Sequence, residues 1–416
     1  MTVGRTRLAV VTSALALSAS APVIAPSAAA AHPRAAAASA GVLNGRSVWI
    51  WYMSRTDGGS VPAIVARARG AGVRTLIVKS SDGDNYWSQF SPGLVGELHA
   101  SGLHVCAWQY VYGTDPLGEA AMGARAVRNG AECLIIDAEA EYEGRYGSAQ
   151  TYVRELRRLV GRGYPVGLAS FPYVDYHPGF PYSVFLGPGG AQFDLPQMYW
   201  KDINGTPDTV FRHTYTYNRI YKRSIFPLGQ TYGSPALGDL QQFRGLAIRY
   251  RARGVSWWDF AWTSAGGFWS AISGFLTPVS VVAPLGEPLL GQGDKGDAVL
   301  WMQEHLARAY RAQLTTGLFG AQTDATLRAF QARRGLPVSG RTDRATWRAL
   351  LRLPAVATDW GGSGSRIASA ARGAFTGGTA APASASLRAR GYEIPEIGAA
   401  RAPTGASWAE PGTASP

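Results

Sequence analysis

The sequence has few cysteines and histidines, and this scarcity limits the chemistry that it can carry. Among 416 residues there are two cysteines and six histidines, with no HExxH and no CxxC pair. The sequence therefore offers no zinc ligand set, which argues against a zinc amidase or peptidase, and we predict no cofactor. Cys106 and Cys133 either pair in an exported protein or stay buried as free thiols, and the sequence leaves both alternatives open.

Several familiar motifs are also missing. No G-x-S-x-G surrounds Ser170, so a serine hydrolase is not expected. No G-x-G-x-x-G follows a strand-like run, which argues against a dinucleotide-binding open sheet. Lysine occurs four times only, so arginine carries most of the formal charge of +12. No motif that reads nucleic acid is present, and we expect this basic chain to meet anionic surfaces instead, cell-wall polymers among them.

Residues 1–31 are predicted to be a secretion signal. Arg5 and Arg7 precede the short apolar run 8–17, and small residues near Ala30 offer cleavage sites. A membrane anchor needs about 18 apolar residues or more, so we expect cleavage and no integral membrane segment in the mature chain. Cleavage removes two arginines and no acids, which lowers the charge from +12 to +10. The predicted location is secreted, at the cell wall.

Residues 44–276 alternate strand-like and helix-like runs, after a stretch at 32–43 that we predict to be disordered. The strand-like runs cover 47–53, 75–80, 104–111, 133–139, 165–171, 193–200, 224–232 and 255–262. Eight such runs, with helical patterns between most of them, predict an α/β fold of the (β/α)8 barrel type. An open doubly wound sheet is the alternative. The oligomeric state does not follow from the sequence.

A Pro-rich linker at 277–288 leads to a small segment at 289–351 that predicts three amphipathic helices. Its motif residues are Gly293, Gly296, Val299, Met302, Gln303, Leu306, Gly317, Phe319, Gly320, Thr323, Phe330, Gln331, Gly335, Leu336, Thr346 and Trp347. In this order they resemble the peptidoglycan-binding domain type 1, and the resemblance implies peptidoglycan as a partner. Residues 352–416 are rich in Ala, Gly, Ser, Thr and Pro, and we predict a disordered tail.

Three acids at alternate positions end the fourth strand-like run. Asp137, Glu139 and Glu141 would share one face of a strand and point towards the barrel mouth, where barrel enzymes hold their chemistry. Glycosidic cleavage needs one acid and a second carboxylate, and clustered charges raise at least one pKa. The alternative is structural: acids at strand ends also cap helices or pair with arginines such as Arg145 and Arg154.

The barrel distantly resembles the muramidases of glycoside hydrolase family 25. Lys79 and Gly83 fit the family's second strand, with Asp82 in place of Glu, and Asp137 and Glu139 match its D-x-E. The resemblance implies that Glu139 is the general acid and Asp137 its electrostatic partner. The first strand departs from the family because no acid occurs before Asp57. The motif of family 18 chitinase-like barrels is not met, since Leu134 stands where that family has Asp.

Aromatic and amide residues collect at the other predicted strand ends, where rings can stack on sugars and amides can bond hydroxyls. The predicted substrate-binding residues are Lys79, Asp82, Tyr110, Gln197, Tyr199, Gln230, Trp258 and Asp259. The alternative for each is packing within the barrel. Two functions follow: an exported wall hydrolase that cuts glycan strands, or a non-catalytic peptidoglycan-binding protein with a degenerate glycosidase-like barrel.

Overall fold

The computed structural model describes residues 1–2, 41–274 and 285–361. The predicted secretion signal beyond residue 2, linker residues 277–284 and tail residues 362–416 lie outside the described residues. Within the described part of the chain, no helix combines the length and the apolar character needed to cross a membrane.

In the described part of the chain, eight parallel strands form one sheet, and the short strand Asn85–Tyr86 pairs antiparallel with the second of them. They are β1 Gly45–Ile50, β2 Val73–Asp82, β3 His104–Val111, β4 Cys133–Ala138, β5 Val166–Ser170, β6 Phe193–Pro196, β7 in two segments, Ser224–Ile225 and Leu228–Gln230, and β8 Gly254–Trp258. Neighbours in the chain pair with one another, and β8 pairs with β1. A bridge from Gln197 to Leu228 joins the end of β6 to β7, so the ring closes. The prediction of a (β/α)8 barrel is confirmed.

Helices follow most of the strands and cover the outside of the ring. They are α1 Val61–Gly70, α2 Pro92–Ala100, α3 Pro116–Arg128, α4 Tyr146–Val160, α5 Tyr182–Phe185, α6 Pro207–Asn218, α7 Leu237–Arg249, α8 Phe260–Ala265 and α9 Trp269–Ser273. Ser60, Ser91 and Asp115 cap the first three helices, each with a proline in the first turn. The fifth helix has a single turn, which explains its weak sequence pattern. The predicted last strand is too long, because a helix already begins at Phe260.

The alternation of side chains along β4 separates two cores. Leu134 and Ile136 pack under the helices, whereas Cys133 and Ile135 face the barrel interior. Full burial of a side chain such as Ile135 contributes about 1.5–3 kcal/mol to the free energy of unfolding. Cys106 lies opposite Cys133 in the register of β3 and β4, and the two form a disulfide. Of the two alternatives for the cysteines, pairing is the one observed.

The small domain contains three helices, α10 Asp297–Ala307, α11 Ala321–Arg333 and α12 Arg344–Leu350, as predicted. Apolar residues at helical spacing form its core, among them Val299, Met302 and Leu306 from α10. Phe330 and Trp347 complete that core from the other two helices. The motif positions that resemble the family therefore include the packing residues of the domain.

The small domain is packed against the barrel through α10. The Asp297 carboxylate accepts hydrogen bonds from the Ser183 backbone N–H (2.9 Å), the Ser183 hydroxyl (2.7 Å) and the Tyr221 hydroxyl (2.7 Å). The Trp301 indole N–H donates to the Ile220 carbonyl at 2.8 Å. Asp297 is fully buried and Trp301 nearly so. The helical domain and the barrel thus share a close-packed interface.

Two predicted disordered stretches are ordered where they border the domains. Val42 and Leu43 are buried in the barrel. Residues 352–361 run back along α4, where Trp360 packs against Tyr146 with ring centroids 4.5 Å apart. The Gln150 amide group donates to the Thr358 carbonyl and accepts from the Trp360 N–H. Residues 42–43 and 352–361 are therefore ordered parts of the described structure.

Candidate active site

A bridged carboxylate pair lies at the mouth of the barrel. Asp137 is on the inward face of β4 and Glu139 follows the strand end, and both are almost completely buried. The Gln197 amide nitrogen, from the end of β6, donates to Asp137 Oδ1 at 2.9 Å and to Glu139 Oε1 at 2.8 Å. Since both oxygens contact one nitrogen, they are within about 6 Å of each other, in the range of closely spaced glycosidase carboxyls rather than widely separated ones.

Burial raises the pKa of both carboxyl groups in this pair. Burial raises the pKa of Glu139 to about 7, with a further contribution from the charge of Glu141, while the Gln197 hydrogen bond opposes the rise. Burial, followed by the charge of Glu139, also raises the pKa of Asp137 well above its usual range, and the charge of Lys79 opposes this. A buried pair of this kind supplies a protonated carboxyl group, as a general acid requires.

Glu141 does not share the strand face of the other two acids. The strand ends at Ala138, and residues Ala140–Tyr142 form a 3-10 turn. Strand periodicity therefore does not extend to Glu141, and the predicted row of three is corrected to a pair. The turn still brings the Glu141 carboxylate towards the mouth, where it accepts a hydrogen bond from the Tyr110 hydroxyl at 2.9 Å.

Lys79 points into the barrel and pairs with Asp82. Its side chain is buried, and its ammonium group lies 4.4 Å from the Trp108 ring centroid and 4.7 Å from that of Trp87. Burial lowers the pKa of Lys79, and the neighbouring Asp82 carboxylate opposes the shift. The Tyr112 hydroxyl donates to Asp82 at 2.6 Å. Lys79 thus makes its ion pair with Asp82 rather than with the Asp137–Glu139 pair.

Trp258 belongs to a cluster of tryptophans inside the barrel. Its ring centroid lies 5.6 Å from Trp49, 5.8 Å from Trp51 and 5.3 Å from Trp108. Sequence reasoning included Trp258 but missed Trp51, Trp87 and Trp108 around Lys79. Period-two spacing was the signal for two of them: Trp108 precedes the predicted Tyr110 by two positions on β3, and Trp51 follows the buried Trp49 by two.

Tyr199 lies close to the carboxylate pair, as a substrate-binding side chain would. Its ring is buried and packs edge-on against Tyr232, with centroids 5.4 Å apart. Burial raises the pKa of Tyr199, and the charges of Tyr232, Asp137 and Glu139 raise it further. The hydroxyl therefore remains a neutral donor facing an acidic neighbourhood.

Two predicted substrate-binding residues make hydrogen bonds to the backbone near their strand ends. Gln230 is fully buried: its amide oxygen accepts from the Lys201 N–H at 2.8 Å and its amide nitrogen donates to the Tyr232 carbonyl. Asp259 caps α8, because its carboxylate accepts from the Trp262 N–H at 3.0 Å. Their roles in substrate binding stay predictions.

The first strand adds no carboxylate to the site. The first acid that follows it in the chain, Asp57, lies beyond the strand and pairs with Arg67 at 2.6 Å. The barrel interior at this position is occupied by Trp49 and Trp51. Across the described ranges there is also no group of three or more His, Cys, Asp or Glu side chains that could hold a metal ion.

The fold and the site define a (β/α)8 barrel with a buried carboxylate pair at its mouth, joined to a helical domain. Residues 295–350 match the family model described as a peptidoglycan binding domain. The predicted family of the small domain is therefore confirmed for this segment. No curated protein matches the chain.

Solved structures with weak similarity cover the barrel. The spore cortex-lytic enzyme SleL of Bacillus cereus is 9% identical, with 57% of this chain and 75% of that chain covered and a TM-score of 0.42. A fungal endo-beta-N-acetylglucosaminidase of glycosyl hydrolase family 18 is 13% identical (55% and 98% covered, TM-score 0.40). The chitinase ChiC of Aspergillus fumigatus is also 13% identical (58% and 95% covered, TM-score 0.38). Likenesses of this size carry no argument about activity.

Proposed function

We propose that this protein binds peptidoglycan and hydrolyses its glycan strands at the barrel mouth. The observation that carries the proposal is the Asp137–Glu139 pair, bridged by Gln197 and buried at the carboxyl ends of the strands. The peptidoglycan binding domain at 295–350 supplies the substrate class. Hydrolysis of a glycosidic bond is the reaction that a raised-pKa carboxyl beside a second carboxyl serves best.

In this proposal Glu139 protonates the leaving oxygen as the glycosidic bond breaks, and the Glu139 carboxylate then takes the proton of the water that adds to the anomeric carbon. Its pKa of about 7 keeps part of the population protonated at neutral pH. Asp137, near the end of β4, lies two residues before Glu139, so it acts as the electrostatic partner of Glu139 in the pair. Lys79 and the surrounding tryptophans offer a cation and flat apolar faces near the mouth, a combination that suits sugar rings bearing polar substituents.

We also propose that the protein acts outside the membrane, at the cell wall. The apolar run at 8–17 with its preceding arginines supports export, and the peptidoglycan binding domain supports wall association. The mature charge of +10 adds attraction to an anionic wall. Amino-terminal sequencing of the protein recovered from culture medium or from the wall would test the predicted cleavage near Ala30.

The central test is hydrolysis of purified peptidoglycan by wild type, Glu139→Gln and a matched control, Glu155→Gln. Glu155 is on α4 and pairs with Arg158 at the surface, so its variant also loses one carboxylate but not at the mouth. We expect new reducing ends from wild type and from the control, and a loss of at least about a hundredfold in rate for Glu139→Gln. Equal release of reducing ends by Glu139→Gln would refute the assignment.

The first strand favours a second candidate function, which is glycan binding without hydrolysis. Its inward positions carry Trp49 and Trp51 and no acid, as expected of a barrel that binds glycan without cutting it. In that case all three proteins would bind peptidoglycan equally, and none would release reducing ends. A pull-down with insoluble peptidoglycan, run beside the hydrolysis assay, separates the two functions.

A further inference from the structure

A basic cleft opens where the barrel meets the helical domain. Its volume is about 420 Å³. The barrel contributes residues between α6 and β7, and the helical domain contributes α12 and the residues that follow it. The lining residues are Arg219, Ile220, Lys222, Glu287, Arg344, Trp347, Arg348, Leu351 and Arg352.

Positive charge dominates this cleft. Five of the lining side chains are cationic and one is acidic, which leaves four positive charges uncompensated. The carboxylate of Glu287 is shared by Arg219 at 3.0 Å and Arg344 at 3.6 Å. Arg348 and Arg352 are exposed and make no ion pair with another described residue. Repulsion among exposed cations is unfavourable for the fold, so a cleft of this composition favours an anionic occupant.

Three of the cations follow one another along the chain. Arg344 and Arg348 are four residues apart on α12, which corresponds to about 6 Å along a helix. Arg352 lies two residues beyond the end of that helix at Leu350. The buried Trp347 and the half-buried Leu351 lie between the cations and form an apolar floor. Several cations along one cleft suit a ligand polymer in which single negative charges alternate with short carbon-based spacers.

The cleft exists only because the two domains are docked. The Lys222 ammonium group, from the barrel, donates to the Leu351 carbonyl at 3.0 Å and holds the end of α12 in place. Arg219 likewise reaches from the barrel to Glu287 of the chain that enters the helical domain. Neither domain alone would present the full set of charges.

We propose that this cleft binds a phosphodiester-linked polyanion of the cell wall, as a second wall ligand beside peptidoglycan. Arginine forks match phosphate oxygens in pairs, and several cations along one cleft match a polymer with one charge per repeat. The site depends on domain docking and not on hydrolysis at the barrel mouth.

The test measures binding of the full chain to poly(glycerol phosphate) at low and at physiological ionic strength. Arg348→Gln combined with Arg352→Gln removes two cleft charges. The control, Arg308→Gln combined with Arg311→Gln, removes two exposed charges of the same domain that do not line the cleft. We expect roughly three- to thirtyfold weaker binding for the cleft variant, little change for the control, and a weaker salt dependence for the cleft variant.

A second arm uses peptidoglycan from which phosphate polymers have been stripped. The cleft variant should bind it as tightly as wild type does, and release of reducing ends should be unchanged. If binding to stripped peptidoglycan is weakened in the cleft variant as much as binding to poly(glycerol phosphate), the cleft binds peptidoglycan itself. That result would overturn the proposal. Unchanged binding of the cleft variant to poly(glycerol phosphate) would overturn it as well. Because hydrolysis is scored separately, either failure is distinguishable from failure of the proposed glycosidase function.

Discussion

Replacing Gln197 with leucine should raise the pKa of Glu139. The Gln197 amide is the neutral donor that holds the two carboxyl groups together, with bonds of 2.9 Å to Asp137 and 2.8 Å to Glu139. A donor stabilises the ionised form of a carboxyl group, so its hydrogen bond lowers the pKa. Leucine has a similar volume and no donor, and the bond to Glu139 is lost without leaving a large cavity.

The size of the shift follows from the energy of one charge-assisted hydrogen bond. Such a bond contributes about 1.5–3 kcal/mol, and one pKa unit corresponds to about 1.4 kcal/mol. Loss of the bond should therefore raise the pKa of Glu139 by about 1–2 units from its value of about 7. The protonated form then persists to higher pH, and the alkaline limit of hydrolysis should move upwards by the same amount.

Two measurements check this expectation. The pH profile of reducing-end release gives the alkaline limit if the protein is a hydrolase, and carboxyl carbon NMR of labelled glutamate follows Glu139 whether or not it is one. A Gln241→Leu variant is the control, since Gln241 lies on α7 and makes no hydrogen bond to either carboxyl. An alkaline limit or NMR titration that stays in place, or that moves to lower pH, would contradict the role given to Gln197.

Three further predictions concern stability. Burial raises the pKa of Asp194 to about 7 and that of Glu304 to about 8. Their contribution to the free energy of unfolding is complete below about pH 4 and is lost as the pH rises through these values. The melting temperature should therefore be higher at pH 5 than at pH 8.5, and the difference should be smaller in Glu304→Gln. Reduction of the Cys106–Cys133 disulfide, which joins residues separated by 27 positions, should lower the free energy of unfolding in urea by about 3–4 kcal/mol. An unchanged urea midpoint would contradict this prediction. Trp301→Ala should weaken domain docking by about 3–5 kcal/mol, seen as two calorimetric transitions in place of one.

The barrel was predictable because its signals are local and repeated. Apolar runs such as 133–138 are bounded by turns, and most helices carry their own caps. The docking of α10 was not predictable from such signals. Asp297 is at a helix start, where an acid is ordinary, and only the tertiary structure shows that Ser183 and Tyr221 surround it. A long-range polar contact leaves no periodic trace in a sequence.

The geometry of the candidate site was predictable in part. Alternation on a strand fixes which side chains point inwards, and this placed Asp137, Glu139 and Gln197 at the mouth. The backbone hydrogen bonds of Gln230 and Asp259 were not predictable in this way, because they form beyond the ends of the strands. Beyond the end of a regular strand, the period-two pattern no longer determines the direction of a side chain. The sequence then does not show whether the backbone or a ligand uses the polar atoms of that side chain.

The packing of α10 on the barrel changes what the small domain can do for its neighbour. A flexible tether enriches every bond within reach, whereas a rigid connection enriches only bonds at one distance and one angle. With Trp301 and Asp297 anchoring the helix, the segment that matches the peptidoglycan binding family and the barrel mouth keep a constant separation. Under the proposed function, the molecule would select positions on the wall by distance and angle as well as by chemistry.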